Sequence, residues 1–209
     1  MVPLLSACGS GQAPQAESSK PVEPQPIRIQ LNGRSPSESL GVLERPEGPL
    51  RFGVGHGRHG IACAGTRFQE GVTPLGRFRV NAILSGDRFA MDPELVQRSG
   101  RTEDELRATL FSDMNSIDFS GDGQSGEYGI GYISLEPVPA TDQPFAFNTY
   151  DGRFRWYSFA IHGTNDEARV GQAVTGGCLN VSQPSLKALL DRVALGDTVV
   201  ISSDGPCLP

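Results

Sequence analysis

Ile27, Ile29 and Leu31 are apolar and the residues between them polar, the two-residue period of a half-buried strand; Asn32-Gly33 then supplies a strong turn signal. A second strand is predicted over residues 50–54, running into a Gly-rich stretch at 53–60. Phe78, Val80 and Ala82 fall on one face of a predicted strand over 76–84. Thr73-Pro74-Leu75-Gly76 leads into it with turn chemistry, Pro presetting φ and Gly allowing positive φ. Residues 129–135 and 154–161 read as further strands, the latter ending at His162, and 198–201 as a buried final strand after Gly196-Asp197. Two segments carry helical spacing. Over 103–111, Leu106 and Leu110 share a face and Thr102 with Glu105 forms a capping box. Over 184–193, Leu186, Leu189, Leu190 and Val193 line one face, with Ser182 before the start and Pro184 in the first turn. No internal repeat is present. The pattern predicts one β-rich α+β domain over 27–209, interrupted by an acidic, Gly-rich insertion at 99–127.

Composition narrows this picture. The chain has 209 residues, 37% hydrophobic and 20% charged, enough for one core. Its 26 glycines and 16 prolines fit a turn-rich β protein better than a helical bundle. The net charge of −6 with no basic block argues against a nucleic-acid partner. No apolar run approaches the length of a transmembrane helix, and a monomer is expected.

Residues 9–26 are Gly, Ser, Gln, Pro and Ala with scattered charges, a flexible linker that cannot bury enough apolar surface to order itself. Before it, Leu5-Ser6-Ala7-Cys8 resembles a bacterial lipobox, in which the Cys becomes the acylated first residue of the mature protein. Residues 1–8 then read as a lipoprotein-signal remnant, and the expected location is the periplasmic side of a bacterial envelope, held to the membrane by a lipid anchor. Only seven uncharged residues precede Cys8, short of a full signal, so the start is expected upstream or the segment trimmed. An ordinary frayed terminus with a stray Cys is the plainer alternative.

With three His and four Cys in the chain, each can be weighed. His162 ends an apolar strand; 13 residues on begins Thr175-Gly176-Gly177-Cys178-Leu179-Asn180. A Cys after two glycines and before a helix start has exposed amides around it, which stabilise an oxyanion and favour a thiolate. A Cys nucleophile needs a base, and His162 is the candidate in the same half of the chain. On residues alone the pair reads equally as a buried free thiol and a satisfied strand-end His.

His162-Gly163-Thr164-Asn165 followed by Thr175-Gly176-Gly177-Cys178-Leu179-Asn180, with Gly171 in the spacer, resembles the catalytic signature of the L,D-transpeptidase (YkuD-like) family. Thr73-Pro74-Leu75-Gly76-Arg77-Phe78 resembles that family's Thr-Pro-x-Gly-x-Phe turn and strand, and Leu195–Ile201 its closing strand, so the likeness spans 27–202. The resemblance implies a β-sandwich or mixed-sheet domain with a few short helices, and an acyltransferase acting on peptidoglycan stem peptides in cell-wall biogenesis. It implies no metal and no organic cofactor. Cys178 is then the nucleophile that forms a thioester, His162 its base, and the Gly163 carbonyl the group that orients the imidazole. The amides of Gly177 and Cys178 form the oxyanion hole, and Thr175 and Asn180 hold substrate or shape the loop. Gly176 departs from the pattern, standing where many members carry a second His. A catalytically silent wall-binding module and a thiol L,D-carboxypeptidase are the alternatives.

Trp156 and Tyr157 precede His162 and read as a cleft wall, or as one core and one surface residue. His56, His59 and Cys63 are too few for a metal site and read as a mobile polar loop. The run from Asp118 to Gly123 starts like a calcium loop but lacks its closing bidentate Glu, and reads as a solvated insertion. With Cys8 acylated and Cys178 catalytic, Cys63 and Cys207 are left over; in an oxidising periplasm they can pair and tie the tail to the domain, and two free thiols are the alternative.

Overall fold

A computed structural model of the chain describes residues 25–120, 126–139, 146–157 and 159–209. Cys8 and almost all of the 9–26 linker lie outside the described residues.

The strands, in chain order, are β1 Ile27–Leu31, β2 Leu40–Leu43, β3 Leu50–Gly53, β4 His56–Gly57, β5 Gly60–Ala62, β6 Val72–Pro74, β7 Gly76–Ser85 and β8 Phe89–Met91. After helices α1 Pro93–Ser99 and α2 Glu103–Asp113 come β9 Gly131–Pro137, β10 Ala146–Tyr150, β11 Arg153–Tyr157 and β12 Phe159–His162. The chain closes with β13 Ala173–Thr175, β14 Leu179–Asn180, helix α3 Gln183–Arg192 and β15 Thr198–Ser203. One mixed sheet runs β14–β12–β9–β7–β15–β1–β2–β3, with β8 on β7. Its β1–β15 and β12–β14 pairs are parallel.

Both faces of this sheet are covered, which makes β7 and β9 almost wholly buried. On one face Ile29, Phe78, Val80, Ile133, Phe159 and Ile161 pack with Leu186, Leu189 and Leu190 of α3. On the other, Ala82, Leu84, Tyr132 and Ala160 pack with Leu95 of α1, Leu106 and Leu110 of α2, and Trp156. The two sides meet in β7 through a register shift between Val80 and Ala82. An inserted residue reverses side-chain parity, so Ala82 faces the second core and not, as strict alternation predicts, the face of Phe78 and Val80. Asn81, at the bulge, is fully buried and tied to Ser134 Oγ at 2.6 Å and Glu136 at 3.1 Å. Glu136 in turn pairs with Arg79.

Local chemistry sets the helix starts. Thr102 and Glu105 make the reciprocal capping box expected of α2, and Ser182 caps α3 through the Ser185 amide. Asp92 caps α1, a helix the period of apolar residues had not suggested.

Three expectations need correction. The predicted strand over 154–161 is two strands in different sheets: β11 forms a hairpin with β10, and β12 joins the main sheet. The described residues of the 99–127 insertion are packed and not a solvated excursion: Leu106, Leu110, Ile117 and Asp118 are buried, and α2 lies against β11. Apolar side chains at helical spacing made that packing favourable. Of the calcium-like run, residues 121–125 lie outside the described residues. Asp118, which opens it, accepts from the Ser120 hydroxyl at 3.1 Å. Lastly, His56 is not on a mobile loop: it lies on β4, 1% exposed, paired with β13, while His59 is exposed.

Candidate active site

Parallel pairing of β12 with β14 sets Ile161 beside Leu179 and His162 beside Asn180. Cys178, one residue before β14, therefore enters level with Ala160, whose backbone hydrogen-bonds its thiol. Ala160 and His162 are two residues apart on one strand and so share a face. Cys178 and His162 consequently open on the same cleft, about 350 Å³ in volume, together with Tyr128, Thr164, Thr175, Arg169 and Asn180.

The loop before Cys178 is fixed carbonyl by carbonyl. The carbonyl of Thr175 accepts from Arg58 N–H at 3.0 Å and that of Gly176 from Gly71 N–H at 2.7 Å. Gly177's carbonyl accepts from Thr73 Oγ1 at 2.7 Å, and Cys178's from Thr175 Oγ1 at 2.6 Å. Thr73 is held in turn by the Gly57 amide at 2.8 Å. Gly177 has φ +126°, a conformation only glycine adopts without strain. Because a peptide unit is planar, anchoring the Gly177 carbonyl also aims the Cys178 N–H on the opposite side. The Gly177 amide, expected beside that of Cys178 at the oxyanion, donates to Thr175 Oγ1 at 3.2 Å.

His162 is 4% exposed, and its Nδ1 lies 2.6 Å from the Gly163 carbonyl. A carbonyl only accepts, so Nδ1 carries the proton and Nε2 of the neutral ring keeps its lone pair. The ring stacks on Tyr128 at 4.2 Å and lies parallel to Tyr132 at 6.2 Å. Burial pushes His162 down to about 4, the Gly163 hydrogen bond resisting and the Arg169 charge adding to the fall. Burial pushes the Cys178 thiol up to about 11, against hydrogen bonds from the Ala160 backbone and the Tyr132 hydroxyl. At neutral pH the pair is a thiol and a neutral imidazole, so the thiolate forms only as a proton moves.

Asn180 donates through Nδ2 to the Arg169 carbonyl at 3.1 Å, and its Oδ1 is buried without a partner. A Cβ placed on Gly176 meets Arg58 Nη1 at 3.9 Å and nothing nearer, so the space of a side chain stands open there. Trp156 is brought elsewhere: it is 4% exposed within the second core and does not line the cleft. Tyr157 continues β11, and its side chain lies outside the described residues. Cys63 and Cys207 are joined by a disulfide, Cα atoms 4.9 Å apart, beside reciprocal hydrogen bonds that tie Leu208 to β5 and Cys63. That bridge removes Cys63 as a thiolate metal ligand.

Tyr128, Tyr132, Thr73 and Arg169 were not singled out as site residues by sequence. Thr73 stood in the Thr-Pro-x-Gly-x-Phe motif as a turn residue; its reach to Gly177, 104 residues on, is purely tertiary. Tyr132 was legible only as an aromatic in a predicted strand.

A thiol and a pinned imidazole in one cleft at the edge of a two-sided mixed sheet define the class. The chain belongs to the YkuD family of L,D-transpeptidase catalytic domains, which residues 35–201 match. No curated protein matches it. Among solved structures it is similar to an L,D-transpeptidase from Mycobacterium smegmatis, 15% identical, covering 84% of this chain and 58% of that one, TM-score 0.37. It is also similar to L,D-transpeptidase 3 from Mycobacterium tuberculosis, solved with a faropenem-derived adduct: 13% identical, 84% and 60% covered, TM-score 0.41. A third is the L,D-transpeptidase from Xylanimonas cellulosilytica, 12% identical, 91% and 64% covered, TM-score 0.37. The chain spans 58–64% of the length of these three.

Proposed function

We propose that the chain is a peptidoglycan L,D-transpeptidase with Cys178 as nucleophile, working at the bacterial envelope. The observation that carries this reading is the juxtaposition, in one cleft, of the Cys178 thiol and a His162 ring whose Nδ1–H is held by Gly163. Nε2 takes the thiol proton as Sγ attacks the carbonyl of the third residue of a tetrapeptide stem. The Cys178 amide, aimed by the Thr73–Gly177 bond, faces the developing oxyanion. The intermediate collapses to a thioester. The amine of the terminal D-residue leaves with the proton from His162. An acceptor amine then attacks the thioester, gives its proton to Nε2, and the thiol is regenerated when that proton returns to Sγ. No step requires a metal or an organic cofactor. Residues 1–26, with Cys8 in a lipobox-like setting, support a lipid anchor and a tether for this domain.

Disaccharide-tetrapeptide incubated with the full chain should yield free terminal D-residue and cross-linked dimer, and Cys178→Ala should yield neither. Release of the D-residue without dimer shows hydrolysis in place of transfer. Product from the Cys178→Ala protein contradicts the assignment.

A further inference from the structure

Cys178 stands between two environments. It lines the cleft with His162, and the same side chain packs against the second core, to which Tyr132, Trp156 and Ala160 belong. Whatever enters the cleft meets the sulfur from one side. Tyr132, 4% exposed and absent from the cleft lining, meets it from the other.

Strand register puts Tyr132 there. It pairs directly with His162 across β9 and β12, so the two side chains rise on one face. Their rings lie parallel within 3°, centroids 6.2 Å apart. Trp156 meets the Tyr132 ring edge-on at 6.4 Å and Tyr128 stacks on it at 5.6 Å, which fixes where the hydroxyl can reach. That hydroxyl and the Ala160 backbone both hydrogen-bond Cys178, and both favour its charged form. A group that favours a thiolate donates to it. Tyr132 O–H and Ala160 N–H therefore converge on Sγ from the protein interior. A buried tyrosine hydroxyl needs a partner, and sulfur is a weak acceptor as a thiol but a strong one as an anion. The contact is worth most once the thiol has lost its proton.

We propose, resting on the transpeptidase reading above, that Tyr132 is a further catalytic residue, its hydroxyl holding the negative charge on Sγ while His162 holds the proton. The S–H bond breaks, its proton bonds to Nε2, and the electron pair stays on sulfur until it forms the bond to the stem carbonyl carbon. The Tyr132 O–H bond is not broken at any stage. When an acceptor amine expels sulfur from the thioester, the same charge returns to Sγ, so Tyr132 serves both half-reactions.

Tyr132→Phe tests this, because it removes the hydroxyl and keeps the ring, its strand pairing and its packing. The first readout needs no donor: the rate at which iodoacetamide alkylates the full chain at about pH 8, with the product located on the peptide containing Cys178. With one donor lost, the smaller thiolate fraction should slow that alkylation about 3- to 10-fold. A purely structural role predicts the reverse, since a loosened site admits water to a buried thiol and speeds its alkylation. The second readout is turnover of disaccharide-tetrapeptide, where kcat should fall about 10- to 100-fold with KM little changed. Should the phenylalanine protein not fold, Tyr132→Met, apolar and adaptable in a core, carries the same predictions. Alkylation as fast as in wild type, or faster, overturns the inference, as does an unchanged kcat. If wild type turns over no donor, the transpeptidase reading fails and alkylation alone decides the role of Tyr132.

Discussion

His162 donates Nδ1–H to a backbone carbonyl, so its orientation does not depend on a third side chain. Its burial has a consequence for pH. With its folded value lowered from 6.5 to about 4, the unfolded chain binds a proton between those values that the folded chain refuses. Stability tied to neutral His162 is therefore fully present above about pH 6.5 and lost as pH falls towards 4. The loss amounts to about 3 kcal/mol at about 1.4 kcal/mol per unit. Denaturant titrations at pH 7 and pH 4 should show that loss in wild type and not in His162→Asn; parallel losses contradict it. Activity, which needs Nε2 unprotonated, should hold to about pH 5 and fall through about 4, where an exposed His gives an acid limb near 6.5.

Among elements, the nucleophile loop is held from β6 as much as from its own strand. Thr73 bridges the Gly57 amide and the Gly177 carbonyl, both buried. Thr73→Val keeps the shape and strands both groups, a cost of about 1–3 kcal/mol each. It also releases the peptide plane that aims the Cys178 amide. We expect kcat to fall about 10- to 100-fold with KM little changed, and Thr73→Ser to restore most of it; unchanged kcat in a folded Thr73→Val protein contradicts this role. The same scale shows what the sequence could and could not convey. Strands and helices with several apolar repeats, such as β1, β7, β9, α2, α3 and β15, were legible. The two- and three-residue strands β4, β5, β6, β8, β13 and β14 contain no period to read. The break between β11 and β12 was hidden because aromatic and apolar residues recur from Phe154 to Ile161 with no Gly or Pro between them to mark a turn. The parity change in β7 depends on an inserted residue that only the partner strand β9 reveals. The Cys178–His162 couple was legible through its motif, whereas Tyr128 reaches the cleft, and Tyr132 the Cys178 thiol, by tertiary packing of β9 and the segment before it.

For the whole molecule, the disulfide closes a separation of 144 residues, from the segment after β5 to the C-terminus beyond β15. Restricting so long a loop in the unfolded chain stabilises the fold by about 3–5 kcal/mol in the entropic account. Cys63→Ser with Cys207→Ser should shift the denaturation midpoint down by a free energy of that order. A shift within about 0.5 kcal/mol contradicts the estimate. The bridge starts one residue after β5, which pairs with the β6 strand that presents Thr73, so the loss of stability should be accompanied by faster proteolysis near Gly71.

The central claim is that Cys178 carries the acyl group. Intact-mass analysis of the protein during turnover of a tetrapeptide donor tests it most directly. The account predicts a transient gain equal to the donor minus its terminal D-residue, located on the peptide containing Cys178 and discharged by an added amine. Product formation with no mass gain, or a gain carried by another residue, contradicts it.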